Sequence, residues 1–174
     1  PGTNSVIATY AGDGFNDTST SAAVSHQVTA AGTATSLTVT PTTATAYGSA
    51  VALGVAVTAP GTPAVPSGTV TIYDGSTVLI AVVLQPDGTA TTSQVLPAGG
   101  HDLRAEYAGP AGFAPSTSST VHHDVDRART TTGLSVGASS SVTGELVSLT
   151  ASVDNGDSSP VPVGSVTFRD GTQV

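Results

Sequence analysis

The sequence predicts an all-β protein built from antiparallel β-sandwich units in tandem, one complete and two partial. Three observations carry this expectation. The composition is dominated by Thr, Ser, Ala, Val and Gly, strand and turn formers rather than helix formers. Short apolar alternations are separated by Gly, Pro, Asp and Ser turns, the pattern of an antiparallel sandwich rather than of strand–helix–strand units. Finally, phrases of the sequence return after about ninety-six residues, a domain-sized period long enough for each unit to own a core.

The repeat is read from paired phrases. "VPSGTVTIYDG" at Val65 to Gly75 returns as "VPVGSVTFRDG" at Val161 to Gly171, and Gly48, Val51, Leu53 and Val57 return as Gly144, Val147, Leu149 and Val153, all by subtraction ninety-six apart. "ATYAGDGF" at Ala8 to Phe15 returns as "AEYAGPAGF" at Ala105 to Phe113, and Val24, His26, Val28 and Leu37 return as Val121, His123, Val125 and Leu134, the last four pairs ninety-seven apart. Division at "TATSLTV" and "TTTGLSV" gives residues 1–33 as the tail of a first unit, 34–128 as a complete unit and 129–174 as the opening half of a third. Residues 34–128 are expected to fold alone, with the two ends leaving strand edges that invite association between chains.

Within the complete unit the alternation predicts seven strands, at Ser36 to Thr40, Ala50 to Thr58, Gly68 to Tyr73, Thr77 to Leu84, Thr89 to Leu96, His101 to Tyr107 and Ser116 to Val125. "HDLRAEY" is the cleanest: Leu103, Ala105 and Tyr107 point to one face, and Asp102, Arg104 and Glu106 to the wet one. "DGST" at Asp74 to Thr77 and "PDGT" at Pro86 to Thr89 carry the Asp-Gly pair suited to tight turns with positive φ. Both are expected to join neighbouring antiparallel strands.

These residues resemble the bacterial Ig-like domain 3 family, whose repeats read as a Thr-rich first strand, "G-x-x-V", "P-x-G-x-V-x-F-x-D-G" and "Y-x-G-D-x-x-F". The elements stand here as Gly48 to Val51, Pro66 to Gly75 with Ile72 in the aromatic place, and Tyr107 to Phe113 with Pro110 where the aspartate would be. The third unit keeps Phe168 and the first keeps Asp13. The resemblance implies tandem immunoglobulin-like sandwiches used as extracellular modules of secreted or cell-surface proteins.

Charge and composition exclude several classes. The net charge is -8, with 12 acidic residues against four arginines and no lysine, so no basic surface is available to neutralise a phosphate backbone. Nucleic acid and anionic membranes are not expected partners, and no apolar run approaches the roughly 20 residues of a membrane helix. "PGTNSVIATY" at the start has neither the charged nor the apolar region of a signal peptide. Cysteine is absent, which removes disulfides and thiolate chemistry from this stretch.

Candidate chemistry is sparse. "VHHDVDR" at Val121 to Arg127 is the one cluster of metal-ligand residue types, but strand alternation puts His122 and Asp124 on one face and His123 on the other. His123 lies in phase with Val121 and Val125, as His26 does with Val24 and Val28, the pattern of a half-buried sheet histidine. Asp124 and Asp126 sit near a unit junction where calcium could stiffen the joint, yet the other junction, Gln27 to Ser36, has no acidic residue. No "G-x-S-x-G" elbow or recognisable triad order appears, and Gly99 and Gly100 precede a strand rather than a helix, so they form no phosphate cradle. No catalytic, cofactor or metal residue is therefore assigned.

Aromatic residues are 4% of the chain and tryptophan is absent, which argues against the platforms of sugar-binding modules. Tyr10 with Tyr107 and Phe15 with Phe113 recur at equivalent places, which favours packing roles. Tyr47 and Tyr73 are the candidate exposed contacts, and "NDT" at Asn16 to Thr18 fits an N-glycosylation pattern. The expectation is a non-catalytic extracellular spacer or stalk whose partners are neighbouring repeats of its own chain. The alternative is an adhesive or carbohydrate-binding module that contacts a cell-surface or polysaccharide ligand.

Overall fold

The computed structural model describes residues 1–110, 112–156 and 161–171. Ala111 of the "AEYAGPAGF" phrase and the final Thr172, Gln173 and Val174 lie outside the described residues. In chain order the strands are β1 (Gly2–Val6), β2 (Thr9–Tyr10), β3 (Ser19–Thr20), β4 (Val24–Val28), β5 (Ala34–Thr40), β6 (Thr45–Ala46), β7 (Ala50–Thr58) and β8 (Thr69–Asp74). They continue with β9 (Thr77–Val83), β10 (Thr89–Val95), β11 (Gly99–Tyr107), β12 (Ser116–Thr117), β13 (Val121–Asp126), β14 (Thr131–Val136) and β15 (Leu149–Asp154).

Strands β5 to β13 make a two-layer sandwich. One sheet is β5–β7–β10, antiparallel with β7 in the middle, and the facing sheet runs β6–β13–β11–β8–β9 with β12 beside β11. The period-two alternation of each strand supplies the core between them. β7 buries Val51, Leu53, Val55 and Val57; β8 buries Val70 and Ile72; β11 buries Leu103, Ala105 and Tyr107. Each of the Val, Leu and Ile side chains among them stabilises the unit by about 1.5–3 kcal/mol through removal from water. Tyr107, the largest fully buried side chain, donates its hydroxyl hydrogen bond to the Ser67 carbonyl at 2.9 Å, so its polar tip is satisfied inside the core.

The seven expected strands are present, with three departures. An additional short strand, β6, runs parallel to β13, with Val125 opposite Thr45. The chain leaves the first sheet after Thr40 and covers the edge of the second, held by the buried Thr45 hydroxyl against His123 Nε2 at 3.1 Å. "PTTATAYG" carries no apolar alternation, because the anchor there is a hydroxyl rather than a hydrophobic side chain.

The second departure is the strand expected from Ser116 to Val125, which is divided into β12 and β13. Glu106 pairs with Thr117 but Leu103 pairs with Val121, so the register slips by one residue between them. Ser118 fills the gap: its hydroxyl accepts from Ala105 N at 2.9 Å and donates to Ser119 O at 2.8 Å.

The third concerns the two Asp-Gly turns. Gly75 (φ 55) makes the expected two-residue hairpin between β8 and β9, with Asp74 opposite Thr77. The Pro86–Thr89 turn does not join neighbouring strands; it carries the chain from β9 across to β10, which pairs with β7 in the opposite sheet. The Gly88 carbonyl accepts from Val57 N at 2.9 Å, so the turn is docked on β7 just before β10 begins. A Cβ on Gly88 (φ +80) would stand 2.7 Å from the Val57 carbonyl oxygen, whereas one on Gly75 (φ +55) would meet nothing within 4 Å. Gly75→Ala is thus expected to cost about 1 kcal/mol from the left-handed backbone alone, and Gly88→Ala about 2–4 kcal/mol because strand contact is lost as well. Urea unfolding of the two variants checks the order.

The flanking segments repeat strand pairings of the sandwich. Gly2 pairs with Val28 and Val6 with Val24, as Gly99 pairs with Val125 and Leu103 with Val121. Thr131 pairs with Asp154 and Val136 with Leu149, as Ala34 pairs with Thr58 and Val39 with Leu53. The packing roles expected of the recurrent aromatic residues hold for Tyr107, buried, and Phe113, against the core. They do not hold for Tyr10 and Phe15, which are exposed, nor does the half-burial expected of His26: no facing sheet covers β1 to β4 among the described residues.

Candidate functional site

The outward face of the larger sheet collects most of the sandwich's ionisable groups, because β8, β11 and β13 all turn their polar alternate residues to the same side. Across this face the Arg104 guanidinium lies 4.4 Å from the centre of the Tyr73 ring, directly opposite it in the ladder. Arg104 also donates to the Gly75 carbonyl and forms an ion pair with Glu106 Oε1, each at 3.0 Å. Tyr73, expected as a free contact residue, is half-buried with its ring face occupied; Tyr47 remains exposed. A stacking platform for a sugar needs the ring face that Arg104 covers.

One step along the sheet, His122 bridges two carboxylates, with Nδ1 2.7 Å from Asp102 Oδ1 and Nε2 3.3 Å from Asp124 Oδ1. The Asp102 hydrogen bond, helped by the charge of Asp124, raises the His122 pKa above the ordinary histidine value. The bridge is exposed and links β11 to β13. His123 points the other way, as alternation requires, but is fully rather than half buried, its ring held by Thr45. The ligand types of "VHHDVDR" are therefore split between two faces, and the described residues contain no group of three or more His, Asp or Glu arranged to hold a metal ion. Asp126 engages the neighbouring strand through its backbone, accepting from Tyr47 N at 2.7 Å.

The least legible pair in the sequence is His101 with Asp74. His101 opens the inward alternation of β11 and is buried, with Nδ1 2.7 Å from Asp74 Oδ2 and Nε2 2.8 Å from the Pro97 carbonyl. Asp74 Oδ1 also accepts from Asp102 N at 3.1 Å. The aspartate of the Asp-Gly turn is thus a cross-brace between β8 and β11 as well as a turn former. Both partners of the imidazole are acceptors, so both bonds require the imidazolium. Burial disfavours that form, but the hydrogen bonds to Asp74 and Pro97 outweigh it and raise the pKa. A catalytic histidine–aspartate pair needs its far nitrogen aimed at a nucleophile; here that nitrogen is closed off by a main-chain carbonyl.

The arrangement is a sandwich whose polar groups brace strands against one another, bounded by the Ala31–Phe113 bridge at one end and β13 at the other. The sequence profile of the bacterial Ig-like domain (group 3) matches residues 31–126, the same span. The chain belongs to the bacterial Ig-like domain (group 3) family. Ig-like domains of this family are generally non-enzymatic and typically occur in extracellular or surface proteins. No curated protein and no solved structure matches the chain. No helix among the described residues is long and apolar enough to cross a membrane.

Proposed function

We propose that this Ig-like unit is a spacer in a secreted or surface-anchored bacterial protein, setting distance rather than binding or transforming a ligand. The observation that supports this reading is where the chain enters and leaves the sandwich. It enters beside the loop that follows β11: Ala31 N donates to Gly112 O and Ala114 N to Ala31 O, both at 2.8 Å, and the Thr33 hydroxyl donates to Ala114 O at 2.7 Å. It leaves at Asp126, beside Ala46 and near the start of β11, where Gly99 pairs with Val125. The nine residues of β11 separate these two poles by about 30 Å at the rise of an antiparallel strand.

Each unit therefore adds length, and the incoming linker is hydrogen-bonded rather than loose. Polypeptides carrying one, two and three copies of residues 34–128 with their linkers should gain about 30–40 Å of maximum dimension per copy in small-angle scattering. Growth of less than half that, from units folded back on each other, would count against a spacer. The binding alternative has its own check: reproducible retention on a polysaccharide panel that Tyr73→Ala abolishes would replace the spacer reading.

A further inference from the structure

Within the central sandwich, β9 is the outermost strand of the larger sheet and lies at its side, away from the two poles where the chain enters and leaves. Edge strands of folded proteins are usually blunted by charge, proline or a covering segment. The opposite edge of this sheet is treated in that way, with β6 laid along β13. β9, "TVLIAVV", contains no charged residue and no proline, and among the described residues it pairs on one side only, with β8. Its outward row is apolar: Val78 is 57% and Val83 71% exposed, and Ala81 between them is exposed as well. In the smaller sheet the edge strand β10 instead exposes Thr91 and Ser93.

The ladder determines which main-chain groups of β9 are free. Leu84 N donates to Gly68 O at 2.8 Å, in continuation of the register between β8 and β9. Residues of an antiparallel pair alternate between bonded and non-bonded positions. The amides and carbonyls of Ile80 and Val82 therefore turn to β8, and those of Ala81 and Val83 turn to the open side. The bulge between Ile72 and Tyr73 opposes the start of β9 and leaves Ile80 to Val83 regular. Exposed apolar side chains and free main-chain groups thus coincide at Ala81 and Val83.

We propose that the open edge of β9 is a docking site for β9 of a second copy of this chain, antiparallel to it about a two-fold axis at Val82. That axis sets Ala81 of one copy opposite Val83 of the other, twice, and each pair exchanges both of its main-chain hydrogen bonds. The two larger sheets become one continuous sheet, and the contact is isologous, so it closes as a dimer. Charge selects the occupant. A chain of net charge -8 repels its own copy over most of its surface, but Gly75 to Pro86 carries no charge, so this edge is where two copies approach without that opposition. A strongly charged partner finds no opposite charge on β9 to pair with. One strand edge buries less than the about 1,200 Å² of a standard complex, so the dimer is weak, with a dissociation constant of about 0.01–1 mM. Because the edge faces sideways, it joins two units side by side and leaves the poles to neighbours in the same chain.

The test is mass against concentration for the 174-residue chain, by sedimentation between about 0.01 and 1 mM. The weight-average mass should rise from 16.9 kDa towards twice that value. Val83→Pro removes an N–H that bonds nothing in the free chain and puts a ring in the path of a second strand; it should hold the mass at 16.9 kDa with an unchanged circular dichroism spectrum. Ala81→Lys, which leaves the backbone intact and sets a charge on the edge, should do the same. Register is read with cysteines, since the native chain has none. Ala81→Cys mixed with Val83→Cys should give an intermolecular disulfide on mild oxidation, at a Cα separation of about 5.5 Å. Ala81→Cys mixed with Val95→Cys, an equally exposed position on β10, should not. A mass fixed at 16.9 kDa throughout, a rise that neither Val83→Pro nor Ala81→Lys reduces, or equal cross-linking of the two cysteine mixtures would each overturn the proposal.

Discussion

Leu53→Ala is expected to destabilise the central unit by about 3–5 kcal/mol, while the same substitution ninety-six positions later, Leu149→Ala, is expected to change its unfolding by less than about 0.5 kcal/mol. The two leucines occupy equivalent places, Leu53 opposite Val39 in β7 and Leu149 opposite Val136 in β15. Their surroundings differ: Leu53 is 1% exposed between two sheets, and Leu149 is 48% exposed on a two-stranded ladder. Truncating Leu53 removes its transfer free energy and leaves a cavity that close-packed neighbours such as Ile72 and Leu103 do not fill. Truncating Leu149 removes a side chain already half in water. Total stability of a domain this size is about 5–15 kcal/mol, so the first variant loses a large share of it. Urea unfolding followed by circular dichroism gives both values; equal losses would mean that the C-terminal segment has a closed core of its own.

The same comparison explains what could be read from the sequence and what could not. Inward and outward faces were legible wherever burial is imposed by apolar alternation, as in "HDLRAEY" and "AVALGVAVT", because the side-chain period of a strand is fixed at two. What escaped was everything held by polar groups. Thr45 anchors β6 through a hydroxyl, Ser118 absorbs the slip between β12 and β13, and Asp74 reaches across to β11. A threonine or aspartate in a turn-rich sequence carries no periodic signal to separate a buried brace from a solvated side chain. The Pro86–Thr89 turn was misread for a related reason: its residues report a local reversal, but the free edge of β7 decides which sheet the chain then joins.

The candidate site follows the same division. Alternation alone separated His122 and Asp124 from His123, and the sandwich keeps them apart. Nothing in "VHHDVDR" or "HDLRAEY" announced that Asp102 and Asp124 would flank one imidazole, because that depends on the register between β11 and β13, with Asp102 opposite His122. Tyr73 was legible as an exposed-phase aromatic, but the arginine over its ring is set by the pairing with β11. Long-range register, which a turn-rich sequence specifies only through the packed core, places the side chains of the outer face.

The pH dependence of stability should betray His101. Its pKa in the folded state lies above the ordinary value because Asp74 and Pro97 hold the imidazolium against the opposition of burial, while in the unfolded chain it titrates near ~6.5. A group whose folded pKa is raised contributes its full stabilisation below the unfolded pKa and loses it as pH rises through the folded one. The unit should therefore be more stable at about pH 6 than at about pH 9. His101→Gln keeps a polar side chain in the site but removes the titration, so it should lower stability at about pH 6 and flatten the profile. His122 also titrates high and acts in the same direction, weakened by solvent; His122→Gln should leave most of the slope in place. If instead His122→Gln flattens the profile and His101→Gln does not, the exposed bridge between β11 and β13 carries the pH dependence and the buried one does not.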